Sequence, residues 1–182
     1  MTDGASQESL LQAVHECAEL AGSVAFAHYR TNVAVEWKGD GSPVTVADRS
    51  AEESAREWVR ARFPADAVLG EEFGERTGTS GRQWIIDPID GTKAFVRGVP
   101  LWGSLVAVVE GNRVLAGAAC FPAVGETIAA AAGCGTWHNA SRARVSDVAD
   151  LRAATVLVTD SRGFSPPSRV NLPSAIFIGL LW

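Results

Sequence analysis

The stretch WIIDPIDGTKAF, residues 84–95, sets two aspartates three positions apart behind an apolar run, with a proline between them and Gly-Thr after them. Aspartate is disfavoured in strands and costly to bury without a partner, so a chain built this way must supply one. Trp84-Ile85-Ile86 reads as a buried strand that ends at Asp87, with Pro88 forcing a tight turn before Asp90. A second acidic strand end lies upstream, where AVLGEE finishes in Glu71 and Glu72. Neighbouring strands of one sheet would bring these carboxylates to a common edge. Carboxylate oxygens without His or Cys form a site for a hard cation, and magnesium suits it because it keeps waters for a substrate to displace. Three clustered acids with no basic partner in the local sequence would repel one another without such an ion. Glu72, adjacent to Glu71 on a strand and so facing the other way, reads as a solvated neighbour rather than a ligand.

Gly91-Thr92 adds an anion to this picture. Glycine lets backbone approach a ligand closely, and a helix begun by TKAF would turn free amides toward phosphate. The Thr92 hydroxyl, with a nearby carboxylate, would orient and deprotonate an attacking water. Asp48 is the candidate carboxylate. Taken alone it reads as the acid of a capping box with Thr45; with the downstream motif it reads as the base. Lys93 and Lys38 read as solvated, although Lys38 lies before a GDGSP turn and would help to position that loop over the site.

Elsewhere the chain reads as α+β. Leu10, Val14, Cys17, Ala21, Val24 and His28 recur at helical spacing, predicting a helix from about Ser6 to Tyr29. VAVEW alternates like a strand, and Ala51, Ala55, Trp58, Val59 and Phe63 form the apolar face of a second helix ended by Pro64. LWGSLVAVV, RVLAGAACF and ETIAAAA, joined by EGN and PAVG, predict an antiparallel meander. ATVLVTD begins a further strand near Ala154, and the tryptophans, Trp102 included, are assigned to the core. The chain has 182 residues, 47% hydrophobic, with 16 basic against 21 acidic residues and a net charge of -5, without the basic block that tracks nucleic acid. Cys17, Cys120 and Cys134 have no zinc or disulfide spacing, and His15, His28 and His138 are scattered. With no signal-like N-terminus and no run long enough to span a bilayer, the expectation is a cytoplasmic protein without membrane association.

The ordered set SPVTVAD, GEE and DPIDGTKAF resembles the inositol monophosphatase superfamily of magnesium-dependent, lithium-sensitive phosphatases. Within it, DGTKAFVRGVPLWGSLVAVV and GTWHNASRARVSDVADL are most similar to the bacterial histidinol-phosphatases of this fold. The resemblance implies a layered sugar-phosphatase fold, with residues 1–153 forming the α+β metal- and phosphate-binding part and 154–182 only the start of a second half. It implies that Glu71, Asp87 and the Ile89 carbonyl hold one Mg2+, and Asp87 and Asp90 a second. Glu71 would serve catalysis through that ion. Gly91, Thr92 and Asp90 would contact phosphate, and Thr92 and Asp48 would position water. The implied reaction is hydrolysis of L-histidinol phosphate in histidine biosynthesis, with inositol phosphates and 3'-phosphoadenosine phosphate as alternatives. The family's Trp-Asp motif, whose aspartate completes the second metal site, does not occur, and the stretch after Asp160 is free of Asp and Glu. The expectation is therefore a truncated or frameshifted member of impaired activity. The uncovered apolar surface would then pair it with another chain, a homodimer being one form.

Overall fold

The structure, a computed structural model, describes residues 6–39, 41–153, 156–158 and 175–177. The chain divides into two compact units, Met1–Ala143 and Arg144–Trp182. Every predicted site residue lies in the first.

Helix α1 spans Gln7–Phe26, started by Ser6, whose side chain accepts the Ser9 amide at 3.1 Å. Leu10, Val14, Cys17 and Ala21 face the core as their spacing requires, and Ala25 continues the stripe. The helix stops a turn before Tyr29, so His28 lies beyond it and outside the buried stripe. Strands β1 (Val35–Trp37) and β2 (Pro43–Thr45) form an antiparallel hairpin, of which only the first strand was expected. Trp37 on this hairpin is 67% exposed, which corrects its assignment to the core; Trp84 and Trp102 are buried. Helix α2 (Val46–Arg62) follows at once from β2 through the expected capping box of Thr45 and Asp48. A cap of this kind contributes about 1 kcal/mol, and here it also fixes the direction of Asp48.

An eight-stranded sheet follows: β3 (Ala67–Gly70), β4 (Gly74–Arg76), β5 (Arg82–Asp90), β6 (Gly103–Glu110), β7 (Arg113–Phe121), β8 (Glu126–Ala131), β9 (Gly135–His138) and β10 (Ser141–Ala143). Their spatial order is β10-β9-β8-β7-β6-β5-β3-β4, antiparallel except for the parallel pair β3–β5. The meander appears where the hydrophobic pattern placed it, and β9–β10 extends it. Alternation along β5 and β6 sends Trp84, Ile86, Val106 and Val108 into one core with the apolar faces of α1 and α2. Each such side chain contributes roughly 1.5–3 kcal/mol on burial. A five-residue helix, α3 (Thr92–Val96), interrupts the sheet between β5 and β6, and its Phe95 packs edge to face with Trp102, just before β6, at 4.8 Å.

Strand β5 does not end at Asp87. It runs on to Asp90 with a register shift after Asp87, so Pro88 sits in a bulge rather than a turn. Proline has no amide to donate, and a bulge is where a strand tolerates it. In the second unit a 3-10 turn spans Leu151–Ala153, and β11 (Val156–Val158) pairs in parallel with β12 (Ala175–Phe177). Ala154 and Asp160 lie outside the described residues. Among the described residues no helix is long and apolar enough to cross a membrane.

Candidate active site

Parallel pairing of β3 with β5 sets Gly70 opposite Ile86, so Glu71 leaves the end of β3 beside Asp87, where β5 continues alone toward Asp90. The Glu71 amide donates to the Ile86 carbonyl at 3.3 Å, which ties the two strand ends. Three residues on, the bulge turns Asp90 toward the same edge, and the buried Ser104 hydroxyl holds the bulge by donating to the Pro88 carbonyl at 2.6 Å. Nothing in the sequence pattern had singled out Ser104.

Asp87 is the least comfortable group in the cluster. Its Oδ1 is buried without a hydrogen-bond partner. Burial first, and then the charges of Glu71 and Asp90, push its carboxyl up to about 7. Asp90 is raised by burial and by Glu71. A cation would relieve all of these at once. The oxygen-only donor set and the unpartnered Asp87 oxygen fit a hard divalent ion.

The acids are not, however, without a basic neighbour. Lys38 reaches them from the turn of the β1–β2 hairpin, its Nζ 2.7 Å from Glu71 Oε1 and 2.6 Å from Glu72 Oε1. Burial opposes its charge, but the hydrogen bonds and charges of the two glutamates outweigh that and raise its pKa above the ordinary lysine range. Lys38 is thus a member of the site rather than a solvated lysine. Glu72 is likewise enclosed, its side chain 6% exposed. With Glu71 drawn to Lys38, no three acidic, imidazole or thiolate side chains among the described residues converge into a preformed cage. The unpartnered oxygen and the mutual repulsion weigh more than that missing convergence, because a carboxylate side chain reorients at low cost and a buried orphan atom does not.

Across the cluster, Thr92 Oγ1 lies 3.0 Å from the Ile89 carbonyl and 3.3 Å from Asp48 Oδ1. The Ile89 side chain is in the core, so only its carbonyl faces the site. Asp48 Oδ2 accepts the Thr45 amide at 2.8 Å and the Thr45 hydroxyl at 2.7 Å, leaving Oδ1 for Thr92. Burial raises the Asp48 pKa despite these hydrogen bonds. The capping acid and the candidate base are therefore one residue, with one oxygen for each task. Gly91 precedes α3 at φ 89°, and a Cβ there would stand 3.0 Å from the Leu101 carbonyl, so a side chain would be both strained and crowded.

Against this geometry stand the relatives. A model of the inositol monophosphatase family matches residues 6–172. The chain belongs to that family. Among curated relatives, a histidinol-phosphatase of Chlorobaculum parvum is 45% identical over 161 residues, which are 87% of this chain and 62% of that protein. A histidinol-phosphatase of Mycobacterium tuberculosis is 44% identical over 138 residues, 73% of this chain and 53% of that protein. Among solved structures, a Thermotoga maritima IMPase superposes with a TM-score of 0.74 at 33% identity, covering 81% of this chain and 58% of that one. The suhB protein of Bartonella henselae gives 0.77 at 29% identity over 82% and 59%. The α+β fold is that of the inositol monophosphatases, and this family member spans about three-fifths of the length of the relatives it matches.

Proposed function

We propose that this family member acts as a magnesium-dependent phosphomonoesterase, with L-histidinol phosphate as its substrate. The observation that carries the reading is the buried, unpartnered Asp87 Oδ1 amid Glu71 and Asp90, beside the Asp48–Thr92 pair. The two histidinol-phosphatase relatives support the choice of substrate.

Glu71, Asp87 and the Ile89 carbonyl would hold one Mg2+, and Asp87 with Asp90 a second. When bound, magnesium supplies Lewis-acid activation of water and neutralises charge on the phosphoryl group. The Thr92 hydroxyl would take a proton from the attacking water as it passes its own proton to Asp48 Oδ1, which Thr45 keeps aimed at it. Gly91 brings its backbone against the phosphate without a side chain to obstruct it. A five-residue helix adds little dipole, so the amides of Gly91 and Thr92 act individually as donors.

The test is phosphate release by the 182-residue chain with magnesium, on histidinol phosphate beside inositol 1-phosphate and 3'-phosphoadenosine phosphate. Slow turnover that prefers histidinol phosphate and is abolished by chelation is the expected result. Equal turnover of all three would overturn the substrate assignment. Failure to bind magnesium by calorimetry would overturn the reaction class.

A further inference from the structure

Glu52 is a carboxylate with 0% exposure, four residues after Asp48 on the same face of α2, and the reaction just described makes no use of it. Its oxygens are committed to the loop between β3 and β4. Oε2 accepts the Glu72 amide at 2.6 Å, and Oε1 accepts the Phe73 amide at 3.1 Å and Arg56 Nε at 2.7 Å. Arg56, four residues further along α2, also donates to the Gly74 carbonyl and lies under the Phe73 ring. The loop that bears Glu71 and Glu72 is thus plugged by one buried anion.

The glycine of the GEE motif acquires a reason here. A Cβ on Gly70 would collide with the Glu52 carboxylate, although Gly70 has ordinary strand backbone. Burying a charge costs several kcal/mol unless it is paired and fully hydrogen-bonded. A stability role alone would be met as well by apolar residues of the same volume.

We infer that Glu52 is the positioning residue of the site, fixing through the Glu72 and Phe73 amides the turn that presents Glu71 beside Asp87. Helix α2 then aims both halves: Asp48 orients Thr92, and Glu52 orients Glu71. The inference rests on Glu71 being a metal ligand, and the experiment separates the two.

Magnesium affinity is measured by calorimetry on the full chain and on Glu52→Gln, Arg56→Lys and Asp66→Asn, with amide exchange at 72 and 73 followed in metal-free protein. In Glu52→Gln an amide NH2 replaces one acceptor, so one loop amide loses its partner. The expected result is magnesium binding about tenfold weaker in Glu52→Gln and about threefold weaker in Arg56→Lys, with faster exchange at 72 and 73. Asp66 is an equally buried carboxylate, bonded to Arg82 and to Trp84 Nε1 away from the loop. Asp66→Asn should therefore lower thermal stability while leaving magnesium affinity unchanged. Unaltered exchange at 72 and 73 in Glu52→Gln overturns the positioning role, as does an equal loss of affinity in Asp66→Asn. A parent chain that binds no magnesium overturns the functional reading instead, and the exchange data still decide the loop contact. Should Glu52→Gln fail to fold, Arg56→Lys decides: affinity and exchange both unchanged would sink the inference.

Discussion

Lys38 Nζ lies 2.7 Å from Glu71 Oε1, so this candidate metal ligand already carries a cation of the chain's own. In the metal-free site this ammonium offsets part of the repulsion among Glu71, Asp87 and Asp90, and it competes with magnesium for Glu71. Lys38→Met removes the competitor. We expect magnesium to bind about fivefold more tightly to this variant, equivalent to about 1 kcal/mol for a partly exposed ion pair. The metal-free protein should melt at a lower temperature than the parent. Calorimetry and thermal melts check both; weaker magnesium binding would show that Lys38 assists the metal rather than competing with it.

Asp87 should show the opposite balance. Its carboxylate is buried beside two like charges with one oxygen unpartnered, an arrangement that function can retain and stability does not favour. Asp87→Asn is expected to raise the melting temperature of metal-free protein by a few degrees, since about 1 kcal/mol corresponds to about 2–4 °C at this size. Magnesium should then add nothing further. Glu72→Gln should keep most of the magnesium response, because Glu72 is bonded to Lys38 and is not among the proposed ligands. Equal losses in the two variants would refute the assignment of Asp87 as the bridging ligand.

Gly91 should resist substitution for two reasons that add. A left-handed φ costs a side chain about 1–2 kcal/mol, and the Leu101 carbonyl leaves a Cβ tight at 3.0 Å. Gly91→Ala should lower the melting temperature by several degrees. It should also abolish any slowing of amide exchange at 91 and 92 when phosphate is added with magnesium. An unchanged melting temperature would mean that α3 relaxes freely, leaving Gly91 without the proposed role.

Much of this arrangement could be read from short-range pattern. The capping box, the apolar faces of both helices, the meander and the convergence of Glu71 with Asp87 all follow from spacings within a few residues or from parallel pairing of two acidic strand ends. What escaped was long-range or contextual. Lys38 meets Glu71 across 33 residues of chain, and a lysine before a glycine-rich turn has no local feature that marks it. Glu52 stands on the buried face of α2, where the pattern favours an apolar residue, and only the amides of another loop explain it. Pro88 suggested a turn because proline seldom sits within a strand; the bulge that accommodates it depends on pairing with β6. Trp37 is exposed because a short hairpin leaves its outer face uncovered, which residue type alone does not foretell.

The thiols give a final expectation that is independent of metal. Burial in the α1 stripe pushes Cys17 up to about 12, against an ordinary value of 9.0, and outweighs the opposing charge of Arg62. Below about pH 9 the thiol is neutral in folded and unfolded chain alike, and it contributes no pH dependence. Above that value the unfolded chain loses the proton while the folded one retains it, so folding stability should fall between about pH 9 and about pH 12. Cys17→Ser would put a hydroxyl in the same apolar stripe, so Cys17→Ala is the cleaner comparison, at the cost of a small cavity. The variant should be less stable than the parent at pH 7 and should close part of that gap by pH 10.5. Alkylation at pH 8 should label the half-buried Cys134 first and Cys17 only on unfolding, since the thiolate is the reactive form. Rapid labelling of Cys17 in folded protein would mean that α1 opens locally, and that the core beneath the site is less firmly closed than its packing indicates.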